Sequence, residues 1–177
     1  MLQAAARLFG RKRFHEVRME DVAEEAGVGK GTIYRYFEDK DELYLSLLER
    51  AGEQLLQRID KALAAAKSPC RRLEGLIAAS LLFFDAQPHL FDLIQRADAM
   101  RGSHTPWQKT RTRIVRHVQQ IFADAKEKGE FEVADPTTSA LMLLGGIRAL
   151  IRFGPQPRPA ALARRIVALF LNGAAES

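Results

Sequence analysis

The chain has 177 residues, enough for one large domain or for a small domain joined to a larger one. Its apolar fraction of 47% can build a hydrophobic core, and its one cysteine excludes an intrachain disulfide and a cysteine-based zinc cluster. The net charge is +5, but residues 1–50 carry nine Lys/Arg and ten Asp/Glu, so bulk charge alone does not identify a polyanionic partner.

Residues 1–13 are predicted to form the first helix, because Ala5, Leu8 and Phe9 share one face while Arg7 lies outside it. No charged segment followed by an apolar run opens the chain, so we expect no secretion signal. The longest apolar run, residues 140–147, is too short to span a bilayer. We therefore predict a cytoplasmic protein without membrane association.

Residues 19–40 are predicted to form two short helices joined by a glycine turn. Val22 and Ala23 provide the buried side of the first helix, and Gly27 follows where a helix end favours a residue that tolerates positive φ. Ile33 and Phe37, four residues apart, give the second helix one inward face. This arrangement is typical of a helix-turn-helix.

The side chains left on the outer surface of this segment suit DNA. Lysine and arginine attract phosphate, threonine and tyrosine hydroxyls donate to phosphate oxygens, and Gly31 lets the backbone approach a base edge. The predicted outward set is Lys30, Thr32, Tyr34, Arg35, Tyr36 and Lys40. The alternative is a small helical hairpin with a solvated polar face.

A long helix is predicted over residues 39–66. Asp39 and Glu42 form a D-x-x-E capping box at its start, and leucine, isoleucine and alanine then recur every four residues. At 1.5 Å per residue it spans roughly 40 Å and acts as a lever between two modules. We predict a helix-turn-helix domain over residues 1–48 and a second, larger helical domain over residues 49–177.

The second module is predicted to be entirely helical. Its helices cover residues 72–86, 89–100, 107–128, 136–153 and 160–174, with loops at 102–106 and 154–159. The predicted fold class is therefore all-α.

The helix over residues 136–153 is apolar nearly all round, so it must be buried on all sides. In a domain this small, the last two helices need a partner for their second face, which predicts a homodimer through an isologous four-helix contact. The alternative is a fully internal helix in a monomer. The interface candidates are Leu143, Gly146, Ile147, Leu150, Ile166, Leu169 and Phe170.

Residues 22–37, VAEEAGVGKGTIYRYF, with Lys40 and Leu43, resemble the signature of the TetR family of bacterial transcriptional regulators. The likeness is strong over residues 1–48 and only architectural beyond about residue 55. It implies that Lys30 and Gly31 face base edges and that Thr32, Tyr34, Tyr36 and Lys40 hold phosphates, with Arg35 as a further candidate.

Two positions depart from the family pattern. The family usually has threonine at Arg18, where it caps the second helix and touches phosphate, and serine at Gly29. Arg18 can still reach a phosphate but cannot accept from the free N–H groups of a helix start. Glycine at position 29 removes a hydroxyl contact.

The family also implies that residues 49–177 form a helical ligand-binding and dimerisation domain, with an effector site among the middle helices. The candidates are Phe83, Phe84, Phe91, Ile94, Trp107, Ile114, Val118 and Met142. The alternative for each is plain core. A run of basic residues, Arg96, Arg101, Lys109, Arg111, Arg113 and Arg116, is either a solvated face, the mouth of a site for an anionic effector such as an acyl-CoA or carboxylate, or a surface attracted to DNA flanks.

The four histidines show no metal-ligand spacing, and no nucleophile or phosphate-binding glycine loop is present, so we predict neither an enzyme nor a metal or cofactor site. The sequence favours a ligand-responsive, dimeric repressor that binds a double-stranded DNA operator and is released by a small, largely apolar effector. The alternative is a helical small-molecule sensor or partner-binding protein that does not read an operator.

Overall fold

The computed structural model describes residues 1–101 and 105–172, and only the backbone of Met100 and Arg101. Within these ranges the chain is helical. The helices are α1 Leu2–Arg11, α2 Met19–Glu25, α3 Lys30–Tyr36, α4 Lys40–Ala65, α5 Pro69–Asp85, α6 Leu90–Arg101, α7 Pro106–Glu127, α8 Pro136–Phe153 and α9 Leu162–Asn172, with a 3₁₀ turn at Phe14–Glu16. The predicted all-α class is confirmed.

The predicted helices are all present, and the differences lie at their ends. Helix α5 begins at Pro69, earlier than predicted, because the Ser68 hydroxyl accepts from the backbone N–H of Arg71 at 3.3 Å. Pro106, predicted in a loop, is the first residue of α7. Of the predicted 102–106 loop, residues 102–104 lie outside the described residues, as do residues 173–174 of the last predicted helix.

The chain divides into two compact units, one of residues 1–54 and 87–110 and the other of residues 55–86 and 111–177. This division differs from the predicted one at residue 48, because α6 and the start of α7 belong with the N-terminal helices. Helix α4 begins in the first unit and ends in the second, as expected of a connecting helix.

The first unit has an aromatic cluster at the start of α4. The Tyr44 ring meets Phe9 and Phe14 edge-on, with centroids 5.0 and 5.2 Å away. The Tyr44 hydroxyl donates to the carbonyl of Leu93 in α6 at 2.7 Å. Burial raises the pKa of this phenol to about 12, against a smaller lowering effect of Arg96. Tyr44 therefore ties α6 to the helix-turn-helix.

Close backbone approaches fasten the same unit at two further points. A Cβ at Gly10 of α1 would lie 2.9 Å from the ring of His89, just before α6. A Cβ at Gly52 of α4 would overlap the Oγ1 of Thr110 in α7. Both glycines are needed for space rather than for backbone freedom.

In the second unit, ion pairs join neighbouring helices. Arg72 of α5 donates to Asp124 of α7 at 2.8 Å. The buried Arg158 side chain pairs with Asp85 at the end of α5 and donates to the carbonyls of Leu150 and Ile151 in the last turn of α8, at 3.0 and 3.2 Å. The segment after α8 is thereby held against α5.

No single helix in the described ranges combines the length and hydropathy of a membrane span, although the consecutive helices at 69–85 and 90–99 reach them together.

Candidate nucleic-acid interface

The helix-turn-helix is formed by α2, the turn after it and α3. Gly27 has the predicted positive φ, +67°, and the N–H of Val28 donates to the carbonyl of Ala23 at 2.9 Å. Val22 and Ile33 are fully buried, so α2 and α3 are held by one shared core. The predicted inward face is confirmed at these two positions.

The opposite side of α3 is open to solvent. Tyr36 is 57% exposed and Tyr34 43%, and the guanidinium of Arg35 lies 5.3 Å from the centre of the Tyr36 ring. Lys30 at the first position of α3 has 67% of its side chain exposed, and Thr32 is half-buried. The exposed surface of α3 thus consists of donors that suit phosphates and base edges.

The two glycines at the start of α3 leave space that no protein atom uses. A Cβ at Gly31 would meet nothing within 4 Å, and one at Gly29 would meet only Thr32 Oγ1 at 3.9 Å. The fold therefore does not require glycine at either position. This fits an exposed helix start that another molecule approaches closely.

A hydrogen bond from the Arg18 backbone to Asp21 partly offsets the predicted loss of a side-chain cap at Arg18. Arg18 is exposed and is the N-cap of α2, where its side chain accepts no hydrogen bond. Its backbone N–H instead donates to the Asp21 carboxylate at 3.1 Å. This is the reciprocal half of a capping box, so α2 begins with one of its two usual side-chain contacts.

Glu20, in the first turn of α2, contacts two of the predicted DNA-binding residues. Its Oε1 accepts from Lys30 Nζ at 2.6 Å and from the Tyr34 hydroxyl at 3.3 Å. The hydrogen bond with Lys30 lowers the pKa of Glu20 and raises that of Lys30. Sequence reasoning missed this contact because Glu20 and Lys30 meet only across the turn.

The ammonium group of Lys40 makes its contacts within the first unit. Its Nζ donates to the carbonyls of Phe14 and Val17 at 2.8 and 2.9 Å and lies 4.5 Å from the centre of the Phe14 ring. The ammonium therefore fastens α4 to the 3₁₀ turn before α2. Its predicted phosphate contact remains a prediction and would use its third N–H.

Lys40→Met is expected to lower stability by about 1–2 kcal/mol, since two charge-assisted hydrogen bonds are lost while the apolar stem is kept. Thermal unfolding should show a lower Tm together with weaker DNA binding. Tyr36→Phe is the control, with unchanged Tm. Weaker binding of Lys40→Met at an unchanged Tm would mean that the ammonium acts on DNA alone.

The predicted effector residues are divided between the two units. Phe91, Ile94 and Trp107 are buried in the first unit, and Phe83, Phe84, Ile114 and Val118 are buried in the second. That they line one pocket remains a prediction. The assignment of Met142 to this pocket is corrected. Its side chain is 69% exposed on the outer side of α8 and cannot line a buried pocket in this chain.

The predicted dimer residues lie together on the second unit. All seven line an open, mostly apolar groove of about 570 Å³ along α8 and α9. Leu143 and Ile147 form its buried floor and Leu169 is 56% exposed, while Phe170 also stacks on Phe122 with ring centres 5.8 Å apart. The groove also contains Met142, Ala149, Phe153 and Gly154, which the sequence analysis did not assign to it.

Phe153 could have been found from the sequence, because it lies three residues after Leu150 and seven after Gly146 on the same helix face.

A second depression of about 840 Å³ was not predicted. It is lined mainly by alanines at and just after the end of α4, in α5, and just before and in the first turn of α9, with Lys67, Arg71, Glu74 and Arg164 as its charged residues.

Residues 1–47 match the family model described as bacterial regulatory proteins, tetR family. Over these residues the chain is similar to the TetR family. The match covers α1 to the first turns of α4, which are the elements that form the helix-turn-helix and hold it.

Curated relatives extend the likeness beyond this segment. The HTH-type transcriptional activator FasR of Mycolicibacterium smegmatis is 34% identical over 89 residues, which are 50% of this chain and 39% of FasR. The HTH-type transcriptional repressor KstR of the same species is 32% identical over 130 residues, 73% of this chain and 63% of KstR. The chain thus spans less than two thirds of either relative.

Solved structures agree over nearly the whole length. The transcriptional regulator FadR of Bacillus subtilis, solved in complex with stearoyl-CoA, is 20% identical, with a TM-score of 0.83 over 98% of this chain and 97% of FadR. At this identity the likeness shows the fold, including the helical region that follows the helix-turn-helix.

Proposed function

We propose that the chain is a dimeric transcriptional repressor that binds a double-stranded DNA operator and is released by a small, largely apolar effector. The observation that carries this proposal is the exposed donor surface of α3. It contains Lys30, Arg35 and the two exposed tyrosines on a helix that a shared core holds against α2. A short helix presented in this way matches the docking geometry of a helix-turn-helix in the major groove.

The groove on α8 and α9 supports the dimer. A surface with Met142, Phe153 and Leu169 all more than half exposed is costly in water for a monomer. An isologous contact would cover the same groove on both copies at once. Two copies would present two α3 helices to two half-sites.

Two observations support the effector class. Each unit buries several aromatic side chains, and the similar FadR structure holds stearoyl-CoA. We propose an effector with an apolar tail and an anionic head. Exposed cations of the first unit, Arg96 on α6 and Lys109 on α7, are the candidates for the head group.

The direction of regulation is proposed as repression in the cytoplasm. KstR is named a repressor and FasR an activator, so relatives of both kinds exist. A reporter gene behind the operator, with and without this chain, tests the direction.

Two features favour the alternative, a sensor or partner-binding protein that does not read an operator. Glu20 neutralises Lys30, and Lys40 is engaged with backbone carbonyls. A helix-turn-helix with its cations engaged in this way would bind DNA weakly at every sequence.

Fluorescence anisotropy with labelled duplexes tiling the DNA around the chain's own gene separates these functions. The titrations are run at about 0.05 and 0.2 M salt with excess non-specific competitor. An operator-reading dimer binds one duplex through competition, with two protomers per site. Weak, uniform binding to every duplex would contradict the proposal and favour the alternative.

Two substitutions test the assigned roles on that duplex. Lys30→Ala is expected to change the preferred sequence, with a cost of about 1–3 kcal/mol at one base pair, because lysine reads a base edge there. Tyr36→Phe is expected to weaken all duplexes alike, because it removes one hydroxyl contact to phosphate. An equal loss across sequences for Lys30→Ala would remove its base-reading role.

A further inference from the structure

The contact between Glu20 and Lys30 places an acid beside a cation at the first position of α3. Lys30 Nζ and Glu20 Oε1 are 2.6 Å apart, and both side chains are largely exposed, 67% and 42%. The same oxygen accepts from Tyr34 at 3.3 Å. One carboxylate therefore occupies two of the donors proposed to contact DNA.

The position of this carboxylate affects non-operator DNA most. On such DNA, a lysine contributes mainly by neutralising a phosphate and releasing a counterion. A lysine already paired with Glu20 adds no net positive charge, so its approach releases fewer of the counterions condensed on the DNA.

On operator DNA, Lys30 is proposed to contact a base edge and not only a phosphate. An ammonium has three donors, so Lys30 can stay paired with Glu20 and still donate to an acceptor on a base edge. The pairing also limits the directions in which the flexible lysine points. A fixed donor gains more from the correct base than a mobile one.

We infer that Glu20 is a specificity-determining residue, which suppresses binding to non-operator DNA by neutralising Lys30 and keeps Lys30 aimed at the base edge. This inference rests on the proposed function of α3. It assigns to α2 a direct part in selectivity, in addition to its packing against α3.

Glu20→Gln tests the inference, since the amide keeps the shape and loses the charge. We expect the affinity for non-operator DNA to rise about five- to tenfold at 0.1 M salt. The slope of log K against log salt concentration should become steeper by about 0.9, which is the value for one added phosphate contact. Operator affinity should change less, so the specificity ratio falls. Both affinities are measured by anisotropy on the full chain, and circular dichroism confirms that the variant is folded.

Two further variants make the test sharp. Glu24→Gln removes the same charge from the exposed side of α2 at a position with no contact to Lys30, and it should leave the specificity ratio unchanged. In a Lys30→Met background, Glu20→Gln should no longer raise non-operator affinity, because the effect acts through Lys30.

Three results would overturn the inference. One is an equal change for Glu20→Gln and Glu24→Gln. Another is a rise that persists in the Lys30→Met background. The third is a loss of operator affinity with non-operator affinity unchanged, which would make Glu20 a base reader. If the wild-type chain prefers no duplex at all, the proposed function fails as well, and this result is distinct from the other three.

Discussion

Leu169→Glu is expected to convert the proposed dimer into a monomer. Leu169 is 56% exposed on α9 and lines the groove with Leu143 and Ile147 at its floor. The isolated chain tolerates glutamate there because the side chain reaches water. In an isologous contact the same carboxylate would be buried twice, at a cost of several kcal/mol for each copy.

Loss of the dimer should also lower operator affinity. Two linked α3 helices gain from the high effective concentration of the second, and this avidity amounts to roughly 10²–10⁴-fold. The monomer should therefore bind the full operator about as weakly as a half-site. Sedimentation velocity measures the mass, and anisotropy on the operator measures the affinity.

Leu82→Glu is the matched control for this experiment. Leu82 is 65% exposed on α5, outside the groove residues, so the same substitution should leave both mass and operator affinity unchanged. If Leu169→Glu remains dimeric, the groove on α8 and α9 is not the dimer contact. If the control also dissociates, the effect comes from added charge rather than from the groove.

The helices were predictable because their signals are local in sequence. Asp39 accepts from the N–H of Glu42 at 2.7 Å, as the capping box predicted, although Glu42 reaches back to the N–H of Glu38 instead of that of Asp39. Asp135 accepts from Thr137 and Thr138 where α8 was predicted to begin. Such contacts depend on residues within one turn, so spacing is enough to find them.

The partners of the candidate DNA-binding side chains were not predictable in the same way. Lys40 donates to carbonyls 26 and 23 residues earlier in the chain, and Lys30 meets Glu20 across a turn. A long flexible cation reaches several acceptors, and only the packed positions of the helices select among them. The sequence could name these cations as exposed candidates but not their partners.

Helix α8 illustrates a second limit. It is apolar nearly all round, so its pattern does not distinguish the face packed in the chain from the face left open. Met142 was assigned to an effector site, whereas its neighbour Leu143 is buried and Met142 itself is exposed in the groove. Adjacent residues on a helix lie about 100° apart, so an error of one position changes the face.

The start of α7 lies in the first unit with one more feature that the sequence does not reveal, the close approach of α4 and α7 at Gly52. We expect Gly52→Ala to destabilise the protein by about 2–3 kcal/mol, because the added methyl would overlap Thr110 Oγ1 and lie 3.2 Å from Thr110 Cβ. Thr110 is 5% exposed, so it has little room to move. Glycine to alanine in an unhindered helix would instead stabilise by about 0.5–1 kcal/mol.

Thermal unfolding at a fixed protomer concentration measures this effect, with Gly75→Ala in α5 as the control. A Cβ at Gly75 meets Ala62 Cβ at an ordinary 3.4 Å, so its Tm should be unchanged or slightly higher. Thr110→Ala removes the overlapping hydroxyl, and the double variant should therefore be more stable than the sum of the two single changes predicts. Additive losses would mean that the two helices separate on their own to accept the methyl. In that case Gly52 does not set the distance between α4 and α7, and the position of α7 in the first unit depends on other contacts.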